Sequence, residues 1–145
     1  MATVIADTSF LFSLYGRDAH TPAAQAWVQQ FGLPISVTVF NRYELGNALR
    51  FGGFRKAISQ ADVLGSLAAV ETDMKNGHLR MVACDLAAIF AEAALLSELY
   101  TLNGGHRSFD ILHVAAAKFL EATLFLSFDI NQRKLATSTR MKIGP

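Results

Sequence analysis

Short apolar runs alternate with longer stretches of helical periodicity along this chain. Residues 2–6, ATVIA, form an apolar run ended by Asp7, the pattern of a buried strand. Asp7-Thr8-Ser9 supplies capping groups for an apolar helical segment from Phe10 to Tyr15. A second helix is expected from Thr21-Pro22, with proline suited to its first turn, to Gly32. Pro34 precedes a β-branched run, Ile35 to Val39, with a strand expected over 35–37. Thr38 is then placed to cap a long helix through Glu44 and Leu49 to a break at Gly52-Gly53.

Residues 58–76 place Val63, Leu67, Val70 and Met74 at helical spacing, and Asn76-Gly77 stops them. Another strand is expected over Leu79 to Ala83. Asp85 caps an alanine-rich helix to Leu102, ended by Asn103-Gly104-Gly105. A helix carrying Asp110 in its first turn follows, then an apolar strand at 124–127, and a short helix from Asn131 to Thr137 leads into the tail. Strands alternating with helices predict an α/β fold, a three-layer α/β/α arrangement around a mostly parallel sheet. No repeat or linker divides residues 1–145, which are expected to form one domain.

Composition narrows the class. Apolar residues make up 52% of the chain without low-complexity segments, which argues against disorder. Glu92 and His113 interrupt the longest apolar stretches, so no membrane span is expected. The N-terminal segment has no basic region and its apolar run breaks at Asp7, so no secretory signal is expected. Cys84 is the single cysteine, which excludes an internal disulfide and fits a reducing, cytoplasmic setting. The net charge of +1 is unevenly spread. Arg42, Arg50, Arg55 and Lys56 fall together, as do Arg133, Lys134, Arg140 and Lys142, and the segment between them is net acidic. Such asymmetry suits a basic rim for a phosphate backbone, and equally an ordinary solvated surface.

The informative chemistry lies in four acids. In an open parallel sheet, ligands bind beyond the carboxyl ends of the strands, where the strand order reverses. Asp7 and Asp129 each follow a strand, Glu44 falls in the second turn of the helix after the strand at 35–37, and Asp110 opens the helix that feeds the last strand. All four can therefore meet at one sheet edge. Four carboxylates a few ångströms apart would repel by about 4 kcal/mol per pair at an effective dielectric of about 20. A hard divalent cation with oxygen ligands relieves that repulsion. Each acid also has a structural use. Asp7 can cap the next helix, Glu44 can be an exposed helix residue, Asp110 can favour its helix N-terminus, and Asp129 can form a turn. P-loop, G-x-G-x-x-G, H-E-x-x-H and G-x-S-x-G motifs are missing. A receiver-type phosphoacceptor would want paired acids after the first strand, where Asp7 is followed by Thr8-Ser9.

Four segments carry a family resemblance: VIADTSFLF, TVFNRYELGNAL around Glu44, RSFDILHVAAA around Asp110 and LFLSFDINQRKLA around Asp129. Their order and spacing over the whole chain resemble the PIN-domain ribonucleases, in particular the VapC-like toxins of bacterial toxin–antitoxin pairs. The resemblance implies a PIN-like fold and hydrolysis of RNA phosphodiesters with Mg²⁺ or Mn²⁺. By the same resemblance Asp7, Glu44, Asp110 and Asp129 correspond to the acidic catalytic and metal-binding quartet, and Ser9 and Ser127 to hydroxyl positions beside it. It also implies an RNA substrate, a small antitoxin as partner and a homodimer. The alanine run Ala115–Ala117 matches small residues that let this helix pack tightly. Arg107 and Arg133 are candidate phosphate contacts, each as readily an ion-pair partner. His113, one turn after Asp110, is read as packed or locally hydrogen-bonded rather than as a ligand. The contrasting expectation is a PIN-like module that binds RNA or protein without cutting.

Overall fold

Five three-residue strands, all parallel, run through the centre of the molecule, from edge to edge Leu79–Met81, Ile35–Val37, Val4–Ala6, Leu124–Leu126 and Lys142–Gly144. The computed structural model describes residues 3–32 and 34–145. Along the chain these are β1 (Val4–Ala6), α1 (Thr8–Tyr15), α2 (Thr21–Phe31), β2 (Ile35–Val37), α3 (Val39–Phe54), α4 (Gln60–Asn76), β3 (Leu79–Met81), α5 (Leu86–Gly104), α6 (Ser108–Phe119), β4 (Leu124–Leu126), α7 (Ile130–Ser138) and β5 (Lys142–Gly144). The three-layer α/β/α expectation is met, with a sheet that is wholly parallel. Ala2, in the predicted first strand, lies outside the described residues.

Alternation along β1 builds both layers. Val4 and Ala6 face a core with Phe10, Leu11, Trp27, Leu45 and Leu49 from α1 to α3, whereas Ile5 joins Ile89, Leu96, Val114 and Leu135 from α5 to α7. Helix α6 is buried continuously from Asp110 to Ala117, and Ala115, Ala116 and Ala117 are fully enclosed. A helix apolar all round belongs between layers, and methyl side chains let α5 lie close against it.

Several features differ from expectation, and β3 stops at Met81 rather than running to Ala83. Helix α3 runs through Gly52-Gly53 to Phe54. A Cβ on Gly53 would stand 2.8 Å from Val63 Cγ2, so this glycine serves the close approach of α4 rather than a break. The C-terminal tail forms β5, which pairs with β4, although Lys-Ile-Gly carries little strand signal. Helix α5 is 19 residues long with a mean hydropathy of 1.2, enough by length and composition to cross a membrane. Here it packs on α6 as a layer helix, through Ile89, Ala93 and Leu96. Its Glu92, which was expected to interrupt such a span, pairs with Lys118 of α6.

With β2 on one side of β1 and β4 on the other, the strand order reverses at β1 and β4. The carboxyl ends of these strands carry Asp7, Ser9, Ser127 and Asp129, and they fix the place where a ligand can enter.

Candidate active site

Asp7 follows β1 and is completely buried. Its Oδ1 accepts from the Phe10 amide at 2.9 Å, capping α1, and from Ser9 Oγ at 2.7 Å, and its Oδ2 accepts from Ser127 Oγ. Both serines continue the network. Ser127 Oγ accepts from the Asp129 amide at 3.0 Å, and Ser9 Oγ accepts from the Phe128 amide at 3.3 Å. A single buried carboxylate thus ties the start of α1 to the loop after β4, across about 120 residues of sequence. Asp129 in turn caps α7, its Oδ1 accepting from the Gln132 amide at 2.9 Å.

On the cavity side of this network, Ser9, Glu44, Asp110 and Asp129 line one open cavity of about 620 Å³, with Arg107 at its rim. Asp7 lies outside the lining. Arg107, the residue before α6, bridges two of the acids. Its Nε donates to Asp110 Oδ2 at 3.0 Å, and its Nη2 lies 3.8 Å from Asp129 Oδ2. Arg133 is placed elsewhere. Its Nη1 donates to the carbonyls of Ser127 (2.7 Å), Pro145 (3.2 Å) and Gly144 (3.4 Å), holding the end of β5 to the loop after β4.

Glu44 is oriented by a chain of fixed donors. Thr38 and Asn41 form a capping box at the start of α3, in which Asn41 Oδ1 accepts from the Thr38 amide at 2.9 Å. That contact settles which end of the carboxamide is nitrogen. Asn41 Nδ2 donates to Ala6 O at 3.0 Å and lies 3.3 Å from His113 Nδ1. Nδ1 therefore accepts, the ring hydrogen sits on Nε2, and Nε2 donates to Glu44 Oε1 at 2.9 Å. His113 is buried, as a packed and hydrogen-bonded residue was expected to be. His113→Ala is expected to cost about 2–4 kcal/mol in urea denaturation, because it opens a cavity and orphans Asn41 and Glu44 together. A loss below about 1 kcal/mol would contradict this network.

The acids divide electrostatically. Burial pushes the Asp7 carboxyl up despite the hydroxyl and amide donors around it. Burial also pushes Asp110 up, opposed by Arg107 and reinforced by the Asp129 charge. Glu44 is raised by burial but lowered more by the His113 and Thr8 hydrogen bonds and the Arg107 charge, and it ends below the ordinary range. Asp110 and Asp7 are thus carboxylates whose charged form burial disfavours. Ser9, Glu44, Asp110 and Asp129 give the cavity a hard-oxygen lining of the kind that suits a divalent cation. Among the described residues, however, no three acidic, imidazole or thiol side chains come close enough to hold an ion as they stand. The Arg107 guanidinium bridges the pair Asp110 and Asp129 instead. Its side chain is 77% exposed and that of Asp110 only 11%, so the guanidinium reaches in from solvent to pair a largely buried carboxylate.

A PIN domain family model matches residues 4–137. This chain belongs to the PIN-domain family. Among solved structures, the PIN chain resembles VapBC2 from Rickettsia felis bound to a promoter DNA fragment (TM-score 0.69, 9% identity, 98% of this chain and 97% of that one). It also resembles Mycobacterium tuberculosis VapC20, a sarcin–ricin loop cleaving toxin (TM-score 0.68, 13% identity, 91% and 94%). VapBC-1 from nontypeable Haemophilus influenzae follows (TM-score 0.65, 16% identity, 98% and 96%). At these identities the likeness is one of fold. No curated protein matches the chain by sequence.

Two cavity features of this PIN domain were not visible in the sequence. Gln132, one turn after Asp129, lines the cavity while only 3% exposed, and its Oε1 has no hydrogen-bond partner among the described residues. His20 lies parallel to Phe128 at 4.4 Å, and Phe128 stacks on Phe10 at 5.6 Å. A glutamine in a polar helix and a loop histidine carry no periodic signal. Only the Asp129 cap, which sets the direction of α7, brings Gln132 to the site.

Proposed function

We propose that this chain is a metal-dependent ribonuclease that hydrolyses RNA phosphodiester bonds with Mg²⁺ or Mn²⁺, and that it acts in the cytoplasm as the toxin of a toxin–antitoxin pair. The observation that carries the reading is the convergence of Glu44, Asp110, Asp129 and Ser9 on one open cavity at the strand-order reversal of a PIN fold. The cleaving activity named for VapC20, on the same fold, supports the choice of substrate.

Asp110, Asp129 and Glu44 would hold the cation. Asp7, whose carboxylate has an acceptor position beyond those used by Ser9, Phe10 and Ser127, would complete the set. When bound, the ion supplies an acidified water and positive charge for the phosphoryl oxygens and the leaving alkoxide. The remaining work belongs to the chain. Glu44, held ionised by His113 and Thr8, would bind the cation, or orient or deprotonate the attacking water. Arg107 is placed to exchange its long contact with Asp129 for a substrate phosphate. Ser9 and Ser127 fix the loop that carries Asp129.

A second reading, a PIN domain that binds without cutting, is favoured by Arg107, which already neutralises part of the acid pair. Incubation of the purified protein with structured RNAs separates the two. Cleavage with Mn²⁺ that stops on chelation is expected, and intact RNA under all metal conditions would uphold the binding module.

The partner assignment rests on exposed apolar surface. Tyr43, Phe51 and Phe54 on α3 are exposed, Phe54 to 79%, and Phe51 and Phe54 stack on each other at 5.9 Å. They offer an antitoxin segment an aromatic surface, whereas Phe10 and Leu11 are core. Leu95, Leu99 and Leu102 give α5 an exposed apolar face suited to a homodimer. Purification from the native host is expected to bring a second small chain. A lone chain there would contradict the toxin assignment and leave the nuclease untouched.

A further inference from the structure

Beside the acid cavity, we infer that the exposed face of α7 is a backbone-binding track, on which Arg133, Lys134 and Arg140 hold phosphates of the RNA strand flanking the cut. This deepens the nuclease reading above, which supplies the identity of the polymer, and it rests on residues outside the acid site.

The cavity cannot hold a polyanion by charge. Asp18, Glu44, Asp110 and Asp129 line it against the single guanidinium of Arg107, and one divalent cation does not reverse that balance. Attraction for a strand has to come from cations nearby. Residues 130–145 carry Arg133, Lys134, Arg140 and Lys142 and no acid. Among the described residues none of these four pairs with a side-chain carboxylate, whereas Arg42, Arg107 and Lys118 each do. Clustered cations without acids repel one another, and a phosphate backbone relieves that repulsion while releasing its own counterions.

The cluster has shape as well as charge. Ile130, Arg133, Lys134, Thr137 and Ser138 follow each other at helical spacing and line an open groove of about 490 Å³ with no acid in it. The groove begins one residue after Asp129, which lines the acid cavity. Arg133 is its fixed point. Nη1 is held by the Ser127, Gly144 and Pro145 carbonyls, while Nε and Nη2 make no hydrogen bond among the described residues. Ser127 Oγ accepts from the Asp129 amide, so this anchored charge sits on the loop that carries the acid. A guanidinium ordered in advance loses little freedom when a phosphate arrives. Lys134 and Arg140 are exposed and continue the positive charge toward the end of α7.

Binding of the whole chain to a labelled single-stranded RNA of about 20 nucleotides tests the track. Fluorescence anisotropy in EDTA is read across a salt titration, so that nothing is cut. Lys134→Ala and Arg140→Asn remove one charge each, and asparagine suits the left-handed backbone at Arg140, whose φ is 65°. Arg133 stays in place, because replacing it would also release β5. The double variant is expected to bind about tenfold more weakly near ~0.1 M salt, with log K against log salt shallower by about 1.4, or 0.7 for each lost phosphate contact. Lys75→Ala with Arg80→Ala removes equal charge from the last turn of α4 and from β3, the sheet edge opposite β5. That control should change affinity by less than about twofold. No binding by the unmodified protein, equal losses in the two double variants, or an unchanged salt slope in the first would overturn the track. Mn²⁺-dependent cleavage by the unmodified protein would then still uphold the nuclease. Binding that depends on Lys134 and Arg140, with no cleavage under any metal condition, would keep the track and remove the nuclease.

Discussion

Replacing Asp110 with asparagine is expected to reduce Mn²⁺-dependent RNA cleavage by about a thousand-fold or more, equivalent to ~4 kcal/mol of lost transition-state stabilisation. Asp110 meets three demands at once. It lines the cavity, it is paired by Arg107, and it is held above the ordinary carboxylate range by burial. Asparagine keeps its shape and an oxygen for Arg107 but brings no charge to hold a cation. Because the carboxylate is disfavoured by burial, the variant should fold as well as its parent, and unchanged circular dichroism and melting would locate the loss in chemistry. Single-turnover cleavage across a metal titration measures it. A variant that cuts as fast as its parent would remove Asp110 from the mechanism.

Removal of divalent cations is expected to make the fold less stable at neutral than at mildly acidic pH. Asp7 and Asp110 have raised pKa values in the folded chain. Between the unfolded value of about 3.8 and the raised folded value, the folded state binds more protons than the unfolded state. That stabilisation is fully present below the unfolded pKa and is lost as pH rises through the folded one. Glu44 runs the other way, since its lowered pKa gives stability above 4.5 that is lost as pH falls through the folded value. The chelated protein should therefore melt highest in mild acid. At pH 7, Mn²⁺ at a hundred times its dissociation constant should add ~2.7 kcal/mol. For a domain of this size that is an increase of roughly 5–10 °C in melting temperature. Asp110→Asn should lose most of that increase. A melting temperature that ignores Mn²⁺, with no fall between mild acid and neutrality in EDTA, would contradict the assignment of buried acids that a cation stabilises.

Sequence pattern carried the layers and the sheet edge, because strand-ending acids and capping residues are local signals. Asp7, Thr38 and Asp85 each cap the helix that follows them, as their sequence positions suggested, and the three-layer arrangement follows from strands alternating with helices. What it did not carry depends on contacts between distant segments. Nothing local tells that Gly53 faces Val63, that Lys142–Gly144 finds β4 as a partner, or that Ser127 donates to Asp7 across the sheet. The same holds for His113. Its position one turn after Asp110 says that it is near the site, but only the Thr38–Asn41 box and the approach of α3 to α6 aim its Nε2 at Glu44. Arg107 and Arg133 look alike in sequence, each beside an acid. One reaches the cavity and the other is spent on three carbonyls, because Arg133 lies on α7 where β5 ends.

Repulsion among carboxylates brought to one sheet edge, relieved by a divalent cation, is the physical premise of the whole reading. Crystals soaked in Mn²⁺ and measured at the manganese absorption edge test it directly. The expected result is anomalous density bounded by Glu44, Asp110 and Asp129, with the Arg107 guanidinium displaced from the acid pair. A clean difference map with Arg107 still bridging Asp110 and Asp129 would contradict it.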